Sequence, residues 1–308
     1  MWDIVFAILV LLVLSGCGFQ LGRRLGRTVR AANRVCLVLA IATFSFVFFV
    51  HSQLWIAKVF PLSSVIVLSN LLPIAASILS GVLYAHPKVS PSRRFAFTSI
   101  LLVAGWVTVV WGLIPLQFNS MNRFRNGVCL QSTPVTCSAC SAVTLLGQVG
   151  IETDENEMAR LCLTSSRGTN LLGIFRGLSL KTLGTDYQVQ VIDCEFDELL
   201  SAGAFPMLAA LGQPAAAETT GSAGAGSFVT TLPQFFSNAE HCVVLIEITD
   251  RETVKVGDPA LLINPTEVPI ADLRNSWRGK GFRLVRRIEA KDDLPGRKRR
   301  LREMDSQF

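Results

Sequence analysis

The stretch LQSTPVTCSACSAVTLLGQVGI, residues 130–151, joins an extended turn to a helix and has a cysteine at the junction. Pro134 favours extended backbone before it, and Thr136 is a residue type that commonly caps a helix N-terminus. The small and apolar residues that follow predict a helix over 138–148, with Cys137 in its first turn. Backbone N–H groups and the helix dipole lower the pKa of a thiol at this position. Cys137 is therefore a candidate nucleophile.

A cysteine nucleophile needs a base, and the chain has one histidine beyond residue 122, His241. The segments HCVVLIEIT (241–249) and TVKVGD (253–258) predict a pair of strands joined by a short turn. Such a hairpin brings the end of its second strand back to the start of its first. Asp258 would then lie beside His241 and orient the imidazole.

A hydrolase of this kind also needs donors for the oxyanion of the tetrahedral intermediate. Gln131 lies six residues before Cys137 and carries an amide that can donate, and the Cys137 backbone N–H is a second donor. The residues predict a catalytic set of Cys137 as nucleophile, His241 as base, Asp258 as orienting group and Gln131 as oxyanion donor.

The cysteines also permit other interpretations. A disulfide framework is open, because six of the eight cysteines follow the apolar half of the chain: Cys129, Cys137, Cys140, Cys162, Cys194 and Cys242. The pair CSAC resembles half of a zinc site or a redox pair, but no second such pair occurs. It also follows a turn containing Pro134 and not the strand of a βαβ unit.

The first half of the chain predicts a membrane domain. Four runs have no charged residue, each supplying the ~20 apolar residues that cross a bilayer: Ile4–Gly22, Val35–Ala57, Val59–Pro87 and Phe95–Asn122. They are apolar on all sides and so lack the polar face of a helix in a water-soluble protein. We predict four membrane helices near 2–21, 35–57, 62–85 and 96–117.

The charge of the chain follows the same division. Residues 1–122 carry nine Lys/Arg and one acidic residue, whereas residues 123–308 have a net charge of −2. The basic residues lie between apolar runs without interleaved aromatics, which argues against nucleic acid as a partner. Lys and Arg concentrate in the first and third loops, which predicts that these loops are cytoplasmic. We therefore expect a multi-pass protein of the bacterial inner membrane with its second half on the extracytoplasmic side. A rival is a lipoprotein, because LSGC (14–17) resembles a lipobox, but the positive cluster follows the apolar run, whereas a signal peptide has it before.

The second half predicts an α+β domain. Helices over 138–148, 155–163 and 170–182 come first, followed by strands at 187–192, 241–249, 253–258 and 281–288, with a short helix at 196–203. We predict three parts: a four-helix transmembrane domain (1–122), an α+β domain (123–290) with a flexible insertion about 213–228, and a basic tail (291–308).

The order Gln, Cys at a helix start, His, Asp is that of the papain-like peptidases. The segments LQSTPVTCSACSAVTLLGQVGI, TNLLGIFRGLSLKTLG, HCVVLIEITDRETVKVGDPA and SWRGKGFRLV resemble the bacteriocin-processing, double-glycine leader peptidases of that clan. The resemblance covers about 128–288 and implies a papain-like fold with the four roles given above. Family members usually have glycine after the nucleophile, where this chain has Ser138. No G-x-x-x-x-G-K-[ST] nucleotide-binding signature occurs, so the chain is not an ABC exporter.

From these features we expect a membrane-anchored cysteine endopeptidase that hydrolyses peptide bonds, with leader-peptide processing as its narrower form. The expected partners are a peptide or protein substrate, the lipid bilayer and a separate transporter, and no cofactor or metal is implied. Two alternatives stay open. One is an inactive peptide-binding module of the same fold that serves a separate exporter, and the other is a structural membrane protein with disulfides.

Overall fold

The described chain folds as two compact units. A computed structural model describes residues 2–50, 53–212, 241–249 and 252–287, without the Phe48 side chain. One unit is Met1–Leu116 with Asn170–Arg176, and the other is Gln117–Thr169 with Gly177–Phe308. The division predicted after residue 122 stays a prediction. The predicted insertion at 213–228 and the predicted tail at 291–308 lie outside the described residues.

The first unit contains the apolar helices. They are α1 (Trp2–Leu25), α2 (Val29–Phe49), α3 (Trp55–Val59), α4 (Val65–Leu68), α5 (Leu72–Ala85) and α6 (Pro91–Leu113). Four spans are long and apolar enough to cross a membrane: Trp2–Leu25, Val29–Val47, Val65–Ala85 and Pro91–Leu113. The predicted number of membrane helices is therefore confirmed at the level of length and composition.

The predicted start of the first span at residue 2 and the predicted end of the third at residue 85 are confirmed, but the other bounds differ from the structure by several residues. Helix α2 begins six residues before the predicted start, where the Thr28 side chain accepts from the Ala31 N–H at 3.3 Å. The prediction ended each span at a charged residue. A membrane helix can continue through arginines, because their long side chains reach polar surroundings. The predicted helix over 62–85 is interrupted, since Pro73 opens α5 and cannot continue α4.

Helices α1 and α5 approach closely through small residues. Gly18 and Gly22 of α1 and Gly26, directly after it, recur every four residues, a spacing that lets helix backbones meet. A Cβ on Gly22 would lie 2.0 Å from the Ile78 carbonyl oxygen, and one on Gly81 would lie 2.1 Å from the Phe19 oxygen. Only glycine permits these approaches.

The second unit is an α+β domain, as predicted. It begins with the hairpin β1 (Arg123–Arg125) and β2 (Val128–Leu130), followed by helices α7 (Cys137–Gly147), α8 (Glu155–Leu161) and α9 (Leu171–Lys181). The first residues of α9, up to Arg176, group with the first unit together with Asn170. The remaining elements are β3 (Tyr187–Asp193), α10 (Phe196–Ser201), β4 (Met207–Leu211), β5 (His241–Ile248), β6 (Thr253–Gly257), β7 (Thr266–Pro269), α11 (Ile270–Ser276) and β8 (Trp277–Arg286). Six of the strands form one antiparallel sheet in the order β3-β8-β4-β5-β6-β7.

The sheet has buried residues on both faces. Val243 and Leu245 of β5 belong to a core cluster that also contains Phe196 of α10 and Leu273 of α11. Because strand residues alternate between faces, Cys242 and its even-numbered neighbours point to the other face. Helix α7 contacts β5, β4 and β8 and also β2. The start of α7 and the start of β5 are therefore held against each other.

Candidate active site

Helix α7 begins at Cys137, in agreement with the sequence prediction. Thr136 occupies the N-cap position, but its side chain makes no capping hydrogen bond, which corrects the expectation for this residue. Its hydroxyl instead donates to the Thr133 carbonyl at 3.0 Å and accepts from the Thr133 N–H at 3.2 Å. Hydrogen bonds between Thr133 and Thr136 thus close the turn before Cys137.

Two buried hydroxyls fix α7 on its neighbours. One turn after Cys137, the Ser141 hydroxyl donates to the Cys242 carbonyl at 2.8 Å. Thr144 accepts from the Cys129 N–H at 3.0 Å and donates to the Cys140 carbonyl at 3.0 Å. Ser141 therefore connects the helix to the strand that begins with His241, and Thr144 connects it to β2.

The hairpin of β5 and β6 brings His241 and Asp258 together. The strands pair in antiparallel register, with Val244 opposite Gly257. His241 Nε2 lies 2.8 Å from Asp258 Oδ1, and the two side chains are 14% and 3% exposed. The Cys137 thiol lies close enough to the same ring for each group to shift the pKa of the other. The thiol, the imidazole and the carboxylate are therefore successive neighbours in one cluster of side chains.

Asp258 is itself held by the loop that follows it. Its Oδ1 accepts from the Ala260 N–H at 2.8 Å. The buried Asn264 side chain accepts from the Asp258 N–H at 2.9 Å and donates to the Asp258 carbonyl at 2.8 Å. Sequence reasoning missed Asn264, whose only signal was an Asn-Pro turn dipeptide after the DP turn.

The pKa values of Cys137 and His241 move toward an ion pair. Burial alone raises the pKa of the Cys137 thiol, but the hydrogen bond and charge of His241 outweigh it and the net shift is downward. The Cys242 backbone N–H and the Ser138 hydroxyl add to this lowering. Burial opposes protonation of His241, yet Asp258 and Cys137 raise the pKa of His241 to about 10. The arrangement favours a thiolate beside an imidazolium.

Cys140 has the opposite surroundings, although it lies one turn along the same helix. Its side chain is fully buried, close to the buried Cys129. The neighbouring Cys129 thiol, together with burial and the nearby Glu155 carboxylate, raises the pKa of the Cys140 thiol. Cys129, Cys137 and Cys140 carry free thiols. In the described parts of the chain, no group of three or more His, Cys, Asp or Glu residues is arranged to hold a metal.

Gln131 lies at the start of the turn that ends at Cys137. Its backbone N–H donates to the Pro259 carbonyl at 3.0 Å, next to Asp258. Its side-chain Oε1 is buried and has no hydrogen-bond partner among the described residues. The residue lines a cavity of about 350 Å³ together with residues 132–134 and 259–262. The structure thus joins Cys137, His241 and Asp258 through side chains, and connects Gln131 to this group through the backbone of Pro259.

Comparisons with known proteins found likenesses to solved peptidase domains. The peptidase domain of Streptococcus ComA, a bi-functional ABC transporter involved in quorum sensing, has 14% identity and a TM-score of 0.39, covering 51% of this chain and 96% of that one. A double glycine motif protease from an AMS/PCAT transporter, in complex with the leader peptide, has 18% identity and a TM-score of 0.37, covering 51% and 89%. The peptidase domain of Streptococcus mutans ComA has 17% identity and a TM-score of 0.33, covering 51% and 96%. No protein-family model and no curated protein sequence matches the chain.

Proposed function

We propose that the chain is a membrane-anchored cysteine endopeptidase in which Cys137, His241 and Asp258 act as a triad. The observation that carries the proposal is the 2.8 Å contact between His241 Nε2 and Asp258 Oδ1, with the Cys137 thiol beside the same ring. A thiol at a helix start with a lowered pKa, next to an oriented imidazole, is the arrangement that covalent catalysis by cysteine requires.

The first half of the reaction forms an acyl-enzyme. The Cys137 Sγ thiolate attacks the scissile carbonyl carbon, and the carbonyl π electrons move to the oxygen. The Gln131 amide and the Cys137 backbone N–H donate to that oxyanion. The C–N bond then breaks, and the His241 imidazolium gives its proton to the leaving amine, which leaves a thioester on Cys137.

The second half restores the enzyme. Neutral His241 takes a proton from water while the water oxygen attacks the thioester carbonyl carbon. The C–S bond breaks, the acid product leaves, and the thiolate–imidazolium pair returns. Asp258 keeps the ring in the orientation that both proton transfers need and stabilises its charged form.

The narrower proposal concerns substrate and location. The sequence resemblance implies a leader peptide that ends in Gly-Gly, and we take this as the first substrate to test. The partner that we propose for the product is a transporter, tested by co-purification with the chain. The excess of Lys and Arg in the first and third loops supports an extracytoplasmic peptidase domain. The location can be tested with a reporter protein fused to the C-terminus of the chain. Reporter activity in the cytoplasm would refute an extracytoplasmic peptidase domain.

The test uses the full-length chain in detergent. Iodoacetamide at neutral pH should modify Cys137 selectively, and a quenched peptide with Gly-Gly before the scissile bond should be cleaved. Both activities should be lost in Cys137→Ala, and cleavage should persist in the matched variant Cys140→Ala. A folded protein whose Cys137 stays unreactive would favour the peptide-binding alternative, and Cys137 in a disulfide would favour the structural one.

A further inference from the structure

Glu155 is a charged side chain buried outside the proposed triad. It is the first residue of α8 and is 0% exposed. A carboxylate removed from water is costly unless donors surround it, so the location of its donors shows what it holds.

The donors to Glu155 belong largely to the turn that carries the proposed active site. Ser132, directly after Gln131, donates its N–H to Oε1 at 2.8 Å and its hydroxyl to Oε2 at 2.5 Å. Ser120 adds a hydroxyl at 2.6 Å from Oε2. Thr136, directly before Cys137, is near enough to help lower the pKa of the same carboxylate. The carboxylate therefore binds the start of the turn between the proposed oxyanion donor and the proposed nucleophile, and the end of that turn lies close to it.

The carboxylate is ionised where it lies. Burial by itself raises the pKa of Glu155, but the hydrogen bonds from Ser120 and Ser132 outweigh it, and the net shift is downward. Charged acceptors form stronger and shorter hydrogen bonds than neutral ones, so the turn is held more firmly than a neutral side chain would hold it.

Gln131 depends on this support. Its side-chain Oε1 has no partner among the described residues, so the position of the amide depends on its backbone. That backbone is fixed on one side by the bond to the Pro259 carbonyl and on the other by the bond from Ser132 to Glu155.

We infer that Glu155 is a positioning residue, which holds the 131–136 turn so that the Gln131 amide meets the oxyanion formed at Cys137. The inference rests on the proposed function, because the oxyanion exists only if Cys137 attacks a carbonyl. It assigns to Glu155 no contact with substrate.

The experiment separates the oxyanion site from the reactivity of the thiol. A peptide aldehyde, acetyl-Gly-glycinal, forms an S–C bond with Cys137, and its carbonyl oxygen takes the oxyanion position and then a proton from His241. Iodoacetamide alkylates the same thiolate by displacing iodide and needs no oxyanion site. The aldehyde and iodoacetamide compete for Cys137, so the aldehyde concentration that halves the alkylation rate measures the affinity for the aldehyde. This measurement needs no known substrate.

In the full-length chain in detergent, Glu155→Gln should weaken aldehyde binding by roughly tenfold, less than complete loss of an oxyanion donor. The alkylation rate and its pH profile should stay within about twofold, because the contact between Cys137 and His241 is untouched. The matched control is Glu157→Gln on the same helix, whose carboxylate bonds Thr153 and Lys181 and should change neither readout.

A double-mutant comparison tests whether Glu155 acts through Gln131. If it does, Glu155→Gln in a Gln131→Ala background should cause no further loss of aldehyde binding. A further tenfold loss in that background would overturn the inference, as would a parallel fall of alkylation and aldehyde binding in Glu155→Gln alone. If Glu155→Gln does not fold, Ser132→Ala, which keeps the charge, should show the same separation with a smaller effect, and its absence would overturn the inference. A wild-type protein that resists both reagents would refute the proposed function itself.

Discussion

The two cysteines of CSAC lie one turn apart on α7, yet their surroundings differ completely. Cys137 meets His241 of β5, and its pKa is lowered. Cys140 meets Cys129 of β2 and the Glu155 carboxylate, and its pKa is raised. Both residues are cysteines of the same helix, so the difference between their pKa values comes from the neighbouring elements. We call the face of α7 toward His241 the Cys137 side and the face toward Cys129 the Cys140 side. A neighbouring imidazole favours the thiolate form of the proposed nucleophile Cys137, whereas a neighbouring thiol, a carboxylate and burial favour the neutral form of Cys140.

The largest contrast should appear when each cysteine is replaced by alanine. Cys137→Ala should lower hydrolysis of the Gly-Gly peptide by roughly 10³-fold or more, because no other group replaces the nucleophile. Cys140→Ala should keep activity within about twofold and lose about 1 kcal/mol of stability through a small buried void. Initial rates and thermal unfolding of the full-length protein would measure both. Equal loss of activity in the two variants would refute the distinction between the two sides.

The next contrast concerns the source of the lowered pKa. His241→Ala should raise the Cys137 pKa to the ordinary range of a thiol or above it, because burial then acts without the opposing effect of the imidazole. The acid limb of iodoacetamide labelling should then move to higher pH, and labelling at pH 7 should fall roughly tenfold or more, since the thiolate is the reactive form. The rate of modification from pH 5 to 10 gives the pKa. His86→Ala, which alters a histidine of the first unit, serves as the control. An unchanged pH profile in His241→Ala would contradict the proposed pairing.

The sequence predicted the Cys137 side of α7 better than the Cys140 side. A cysteine after Thr136 at the start of an apolar helix, and a hairpin returning Asp258 toward His241, are local patterns with one simple outcome. Glu155 carried no comparable signal. A glutamate at the first position of a short helix ordinarily faces solvent, where its charge interacts favourably with the helix dipole. Its burial depends on Ser120 and Ser132, which are distant in sequence.

Other elements escaped prediction for related reasons. Strand β4, MLAAL, is buried on both faces and therefore lacks the alternation that marks a half-buried strand. Strand β7 and helix α11 are short and meet at Pro269. Asn264 supports Asp258 through tertiary contacts that a turn dipeptide does not encode. Cys137 and His241 begin regular elements, and Gln131 and Asp258 directly follow strands, whereas the residues that support them depend on packing.

The two hydroxyls that fix α7 allow a sharper comparison of the two sides. Ser141→Ala removes the bond to the Cys242 carbonyl, and Thr144→Val removes the bonds to Cys129 and Cys140. Each change should cost about 1–2 kcal/mol, because each leaves a buried backbone group without that partner. Only Ser141→Ala should also slow labelling of Cys137, by a few-fold, since it loosens the helix from the strand that carries His241. Thermal unfolding and iodoacetamide rates would test this. If Thr144→Val slowed labelling equally, the two sides would not be independent.

The smallest effect is expected at Ser138, the residue that stands where the resembling family usually has glycine. Its side chain is buried and its hydroxyl lies 4.0 Å from Cys137 Sγ, at the outer limit of a hydrogen bond to sulfur. This contact contributes to the lowered pKa of Cys137, after those of His241 and Cys242. Ser138→Ala should therefore move the acid limb of labelling upward by less than about half a pH unit, because a long contact transmits little of the hydroxyl dipole.

Ser138→Gly separates this electrostatic effect from a steric one. It removes the same hydroxyl, so it should shift the labelling profile as Ser138→Ala does, with an added stability loss of up to about 1 kcal/mol from lower helix propensity. The buried side chain points away from solvent, so we expect neither variant to improve the apparent affinity for the Gly-Gly peptide. A marked gain of affinity in Ser138→Gly, absent in Ser138→Ala, would mean that the serine Cβ obstructs the substrate. The inactive binding module would then become the better account of this position.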